Sequence, residues 1–252
     1  MKLRDMLIAD EDKVFVEVDG SQAEARVVAW QSDDFRMNQI FEDGLKIHRY
    51  TGAKIFGVPY DEIAPTNDDY RYYLGKKTDH ASNYGLGGEK LRLEIMKDTD
   101  GQLVLPVEKT TKFIEIYYQE FPGVKKWHME VEDQLRRTRI LTTPLGRKRQ
   151  FFGRMNADTF REAYAYVPQS TVVDWTNMGM LEFSREGAVE LLLQDHDSFK
   201  WQCEERLVYP SVCLARDCLK IPIIIRGIEN YIPIEFKVGK SLGSMKSYEL
   251  EE

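Results

Sequence analysis

The order of hydrophobic periods along the chain constrains its fold more than any other feature: strand-like segments lie towards both ends, and a long helical stretch separates them. Val14, Val16 and Val18 alternate with Phe15, Glu17 and Asp19, a period of two that predicts a strand ending on a carboxylate. Ser21 and Glu24 have the S-x-x-E spacing of a helix start, ahead of a helical run at 25–30. Residues 35–95 are helical in pattern, with breaks at Gly57-Val58-Pro59 and around Pro65. A loop is expected at 98–109, then two helices over 111–137 split at Phe121-Pro122-Gly123. Segments 139–143 and 148–152 flank Pro144-Leu145-Gly146, a hairpin signal. Helices are expected at 158–166 and 170–183. Residues 188–203, AVELLLQDHDSFKWQC, read as two strands joined by a tight turn holding Asp195, His196 and Asp197. A last helix near 204–218 and strands near 221–226 and 232–237 follow. Strands at the ends and helices between them imply an α+β fold, a sheet domain interrupted by a helical insertion.

The 252 residues, 42% hydrophobic and 31% charged, suffice for one large or two small globular domains. No apolar run reaches the roughly 18 residues of a membrane span. The acidic residues of the opening MKLRDMLIADEDK are foreign to a secretory leader, so the expectation is a cytoplasmic protein (host cytoplasm for a viral one) with no membrane partner. Cys203, Cys213 and Cys218 are odd in number and lack paired ligand spacing, which favours buried thiols over disulfides or a zinc site. A net charge of −7 argues against a nucleic-acid partner, yet residues 136–154 hold Arg136, Arg137, Arg139, Arg147, Lys148, Arg149 and Arg154 and no acidic residue. Such a run suits a phosphate backbone, and a solvated basic face is the alternative.

Two strand-end carboxylates, Asp19 and Asp197, would share hard cations if their strands are neighbours in one antiparallel sheet. Phosphoryl-transfer sites hold two such ions about 3.5–4 Å apart. Spacing alone leaves open two unrelated, solvent-facing aspartates. Lys76, His80 and Tyr84 fall at i, i+4 and i+8, so on a helix they share one face and offer a cation, an imidazole and an aromatic plate to a triphosphate and its sugar. An amphipathic surface helix with a buried tyrosine has the same spacing.

Taken in order, these segments resemble the family A DNA polymerases, particularly the phage and bacterial members, over nearly the whole chain. FVEVDGSQAEARVVAW is similar to the family's first motif, D-x-S-Q-x-E-x-R, and GLKIHRYTGAKIFGVP to its G-x-x-I-H-x-x-T-A-x-x-x-F-G-V segment. GKKTDHASNYGLGG resembles the second motif, a fingers helix, and FPGVKKWHMEVEDQLRRTRILTTPLGRKRQF the Y-P-G-V…G-x-x-x-T-x-x-G-R-x-R pattern. FREAYAYVPQSTVVD is similar to the R-x-x-x-N-x-P-x-Q-G-T-A-A-D helix, LLLQDHDSFKW to the third motif, Q-V-H-D-E, and IPIEFKVGKSLGSM to the closing strand.

The resemblance implies an antiparallel-sheet palm at 1–42 and 155–252, an inserted, mostly helical fingers subdomain at 43–154, and no thumb or exonuclease domain in this chain, so that a separate chain would supply them. It implies a template-directed DNA polymerase adding deoxynucleoside triphosphates to the 3′ end of primer-template DNA with two Mg²⁺ ions, Mn²⁺ serving as a substitute. The metal ligands are then Asp19, Gly20 and Asp197, and Asp19, Asp197 and His80 are the catalytic groups. Ser21, Gln22, Glu24, His48, Lys76, His80 and Tyr84 are expected at the nucleotide: Glu24 against the sugar, where it excludes a 2′-hydroxyl, His48 near the triphosphate, His80 as proton donor to pyrophosphate, and Tyr84 near sugar and base. Arg147, Arg149, Arg161, Gln169 and His196 are expected on the DNA.

Several positions depart from the family pattern. Lys76 and His80 stand where the family has Arg and Lys, Gly88 replaces a template-side tyrosine, Ala165 an asparagine and Ser198 a glutamate. Asp195 replaces an apolar residue and adds a carboxylate beside the expected metal site. Single-subunit RNA polymerases share D-G-S and H-D-S-F, but a glutamate at position 24 pressed on the sugar would clash with ribose. A non-catalytic nucleic-acid-binding remnant is the other alternative, and retention of both aspartates argues against it.

Overall fold

A computed structural model describes residues 3–186 and 189–250; Ala188, at the start of the expected strand pair, lies outside them. A short 3-10 turn, Leu3–Met6, precedes strand β1 (Lys13–Gly20). Helices α1 (Ala23–Ser32), α2 (Phe35–Glu42), α3 (Ile47–Phe56), α4 (Tyr70–Asn83), α5 (Gly88–Asp98), α6 (Val107–Glu120) and α7 (Pro122–Thr138) follow. A hairpin of β2 (Ile140–Thr142) and β3 (Lys148–Gln150) leads into helix α8 (Ala157–Glu186). The chain closes with β4 (Glu190–Gln194), β5 (Ser198–Glu204), α9 (Val208–Cys218), β6 (Ile223–Ile225), β7 (Ile228–Asn230), β8 (Ile234–Gly239) and β9 (Lys246–Tyr248).

The principal sheet has the order β4-β5-β1-β8-β9, with every pairing antiparallel, so β1 is paired along both edges. Its period of two sorts the side chains. Val14, Val16 and Val18 share one face with Phe199, Trp201 and Phe236, all buried, and the Phe183 ring of α8 packs 4.8 Å from Trp201 and 5.4 Å from Phe199. The opposite face carries Glu17, Asp19, Ser198, Lys200, Gln202, Glu235 and Lys237. The chain divides into two compact units: the described residues of Met1–Ala23 with Ser170–Glu252, which hold this sheet, and Glu24–Gln169, which is helical apart from the β2-β3 hairpin. A sheet domain assembled from both ends of the chain around a helical insertion is the expected α+β architecture. No described helix is long and apolar enough to cross a membrane.

Local chemistry sets the helix ends. One carboxylate, Asp34, caps α2 by accepting from the Met37 amide (3.0 Å) and also accepts from Gly123 (2.8 Å) in the first turn of α7. Gly57 ends α3 in the left-handed conformation (φ 65°). Helices α3 and α4 cross on glycines, because a Cβ on Gly75 would lie 2.7 Å from the Gly52 nitrogen and still nearer to the His48 carbonyl. The end of α4 is held by aromatic donors: the Tyr118 hydroxyl donates to the Ser82 carbonyl (2.7 Å) and His128 Nε2 to the Asn83 carbonyl (2.8 Å). His128 in turn stacks on Tyr164 at 3.9 Å.

Three local expectations change. The helices expected at 158–166 and 170–183 are one, α8, which runs through Pro168. Proline costs that helix one amide donor, and burial of Tyr166, Val167 and Val172 around it outweighs the loss. Helix α1 begins at Ala23, so Ser21 stands one residue ahead of the cap position, and its hydroxyl donates instead to Glu235 (2.7 Å). The expected strand at 221–226 is half of an extra hairpin, β6-β7, turned by Arg226 (φ 51°) and Gly227 (φ 80°), two successive left-handed residues that suit a tight hairpin.

Candidate active site

Asp19 is the last residue but one of β1. Ser198 faces it across β5, and the Gly20 amide donates to the Asp197 carbonyl at 3.0 Å, so one backbone bond ties the 195–197 turn to the end of β1. Both aspartates are half-buried. Burial first, then the charge of Asp197, pushes the Asp19 carboxyl up to about 6; Glu17 and Glu235 act the same way and Lys237 opposes them. On the other edge, β8 sets Glu235 opposite Asp19. Gly20 is hemmed in, since a Cβ there would lie 3.0 Å from Trp175, 3.1 Å from Ala23 and 3.2 Å from Ile232. Gln22, with φ 52°, turns the chain out of the strand and into α1. His196 is exposed in the turn.

A partly desolvated carboxylate, Asp19, whose proton affinity is raised by burial and by the neighbouring Asp197 charge, is with that neighbour a hard-oxygen donor pair short of positive charge. Among the described residues no cluster of three or more His, Cys, Asp or Glu side chains forms a complete cage. Mg²⁺ is suited to such a place, because it keeps waters and takes one or two protein carboxylates together with substrate phosphate oxygens. The residues present therefore fit that ion.

Sequence reasoning missed the lysine that manages the extra carboxylate. Lys200, almost wholly buried, donates to Asp195 (2.5 Å) and Ser198 (3.2 Å) and pairs with Glu17 (2.9 Å). Its ammonium holds Asp195 below the usual carboxylate range, so Asp195 belongs to this cluster. The only signal in the sequence is a lysine two residues past a strand start, a placement that ordinarily faces solvent.

The helical unit gathers a second group. The expected face of α4 carries Lys76 and His80, with Tyr84 at its C-cap, and His48 of α3 stacks on His80 with centroids 5.7 Å apart. His80 lies 6.3 Å from the Tyr84 ring, and the Glu24 charge acts on it. Burial, followed by His48 and then, against Glu24, Lys76, lowers His80 to about 4, so at neutral pH it is a neutral imidazole and the cation of this face is Lys76. His48 is buried and shares a 2.6 Å hydrogen bond with Asp79, which also accepts from Thr51 at 2.6 Å. Burial lowers His48 to about 3 and raises Asp79, leaving a pair of zero net charge. Asp79 carried no sequence signal, since a charged residue on a helix usually faces water. Gly88 packs against Thr111 with no room for a larger side chain, which accounts for the absence of a tyrosine there.

Arg147 and Arg149 are exposed on the β2-β3 hairpin, and Arg149 pairs with Glu162 at 2.7 Å. Arg161 pairs with Asp158 and reaches the left-handed Gly85 just past α4, while Gln169 is half-buried further along α8.

A mixed fold of this order, with paired carboxylates where a central strand meets a neighbouring turn, is a metal-ready scaffold, and comparison with known proteins identifies its lineage. The family model for DNA polymerase family A matches residues 1–243. "DNA polymerase I, thermostable" of Thermus thermophilus is 27% identical over 248 residues, which are 94% of this chain and 28% of that protein. DNA polymerase I of Helicobacter pylori is 29% identical over 198 residues, 75% of this chain and 20% of that protein. Among solved structures, the POL domain of Pol1 from M. smegmatis, in complex with DNA primer-template and dNTP, superimposes with a TM-score of 0.79 at 22% identity, covering 95% of this chain and 42% of that one. This chain belongs to DNA polymerase family A. It spans 28% of the length of the Thermus relative.

Proposed function

We propose that this chain is the catalytic part of a template-directed DNA polymerase, which joins deoxynucleotides to the 3′ end of a primer on a DNA template. The observation that carries this reading is the pairing of Asp19 with Asp197 at the junction of β1 and the 195–197 turn, with the charge deficit described above. The relatives' names and the nucleotide and primer-template in the M. smegmatis complex support the same direction.

In this reading residues 1–42 and 155–252 serve as palm and 43–154 as fingers. Asp19, Gly20 and Asp197 would hold two Mg²⁺ ions, or Mn²⁺ in their place. Bound there, the ions would neutralise charge that develops on the transferring phosphorus and on the departing pyrophosphate. Lys76 supplies fixed positive charge to the triphosphate. His80, expected as the proton donor to pyrophosphate, is instead read as a neutral hydrogen-bonding ring because burial lowers it to about 4; His48 acts likewise, and Tyr84 gives an aromatic surface to sugar and base. Ser21 and Gln22 lie beside the nucleotide, and Glu24 fills the space that a 2′-hydroxyl would need. Arg147, Arg149, Arg161, Gln169 and His196 contact the DNA, mostly at its backbone, where positioning needs no sequence information.

The test is primer extension with separate deoxy- and ribonucleotide pools. The native chain should extend with deoxynucleotides and Mg²⁺, while Asp19→Ala and Asp197→Ala should lose incorporation and keep primer-template binding. Extension by either variant at saturating Mg²⁺ removes the assignment. A preference for ribonucleotides would point to an RNA polymerase, and binding without extension to a non-catalytic protein.

A further inference from the structure

At the end of the β2-β3 hairpin, Phe151 is buried beneath the Arg149 guanidinium, which lies 4.5 Å from its ring centroid. The next residue, Phe152, is 81% exposed. Its backbone is clamped on both sides. Arg139, in the left-handed conformation (φ 56°), accepts the Phe151 amide at 2.8 Å, and its guanidinium donates to the carbonyls of Phe152 (3.4 Å) and Gly153 (3.1 Å). The segment therefore presents a bare aromatic plate on a fixed backbone.

The surroundings of that plate are cationic. All seven basic residues of 136–154 are exposed, and among the described residues Arg137, Arg139, Lys148 and Arg154 form no ion pair. A protein partner is disfavoured by this setting, because the centres of protein interfaces are depleted in charge. A plate flanked by unpaired cations instead matches a strand that offers a flat base between two phosphates.

We infer that Phe152 is a stacking platform for an unpaired base of single-stranded DNA, with Arg139, Lys148 and Arg154 at the flanking phosphates. The inference rests on the proposed function in one respect, that a template strand is single-stranded ahead of the primer end. Duplex DNA offers no free base face except at its two ends, so the platform discriminates single strands from duplexes.

The experiment is fluorescence anisotropy of the full chain with a labelled oligo-dT of about 20 nucleotides and with a blunt duplex of equal length, in EDTA and without nucleotide, over about 0.05–0.2 M salt. Phe152→Ala should weaken oligo-dT binding about 5- to 100-fold and leave duplex binding and the salt slope unchanged. Phe152→Trp should bind like the parent, and Phe152→Leu, apolar but without a π-face, like the alanine variant. Lys148→Ala or Arg154→Ala should make the salt slope shallower by about 0.7. Parent-like oligo-dT binding by Phe152→Ala, an equal loss on both DNAs, or full retention by Phe152→Leu would overturn the proposal, as would failure of the parent to bind oligo-dT. Because metal and nucleotide are absent, the result is independent of polymerase activity: a chain that binds through Phe152 but never extends a primer keeps this inference and loses the other.

Discussion

Replacing Asp19 by asparagine should stabilise the chain in the absence of metal while removing its function. The Asp19 carboxyl rises from 3.8 to about 6 on folding, chiefly through burial and the nearby Asp197. The unfolded chain releases this proton near pH 4 and the folded chain near pH 6, so stability falls as pH climbs through that window and stays low above it. Two units at 1.36 kcal/mol each set an upper size near 3 kcal/mol, and partial exposure of the site reduces it, which leaves about 1–3 kcal/mol. An amide in place of the carboxyl cannot ionise. Urea unfolding in EDTA at pH 8 should therefore show Asp19→Asn more stable than the parent by that amount, with a melting temperature higher by roughly 3–10 °C. The gap should shrink as pH is lowered from 6 to about 4.5, where the parent recovers its proton. Saturating Mg²⁺ should raise the melting temperature of the parent and have little effect on the variant. A variant no more stable than the parent at pH 8, or a gap independent of pH, would refute the electrostatic reasoning.

Two further substitutions test the frame around the site. Gly75→Ala places a methyl against the Gly52 backbone at the α3-α4 crossing, and should cost about 1–3 kcal/mol in urea unfolding although alanine is the better helix former by about 1 kcal/mol. Equal or greater stability than the parent would mean the helices separate freely. Lys200→Met leaves Glu17 and Asp195 without their shared cation and should cost about 2–4 kcal/mol, most of it recovered in Lys200→Met with Glu17→Gln. A double variant no better than the single one would contradict the charge-pair account.

The sheet and its two aspartates were legible because their signals are local. A valine alternation leaves little choice but a strand, and the H-D pair between two apolar runs marks a turn. What joins them is not local: Asp19 meets Ser198 and Glu235 across 179 and 216 residues of sequence, and only the motif order of a known family bridges such distances. Charge placement was the least legible. Lys200, Glu17 and Asp79 are ionisable groups in buried places, and sequence alone assigns such residues to the surface because their burial depends on partners brought by other elements. Pro168 misled for the opposite reason, since local helix-breaking chemistry was overridden by burial of the residues around it.

The central position of β1 also fixes an order of events during synthesis. This strand is made well before its ladder partners, which span 198–204 and 234–239. At about 5–20 residues per second, the second partner follows β1 by on the order of 10–40 s. The helical unit, which ends at residue 169, has all its residues well before then. In that interval Val14, Phe15, Val16 and Val18 lie on a strand with two unpaired edges, the arrangement most prone to pairing with another chain. Recovery of soluble protein should therefore depend on protecting one eight-residue segment while the chain is being made, and respond to slower synthesis or added chaperone more than to the stability of the finished sheet.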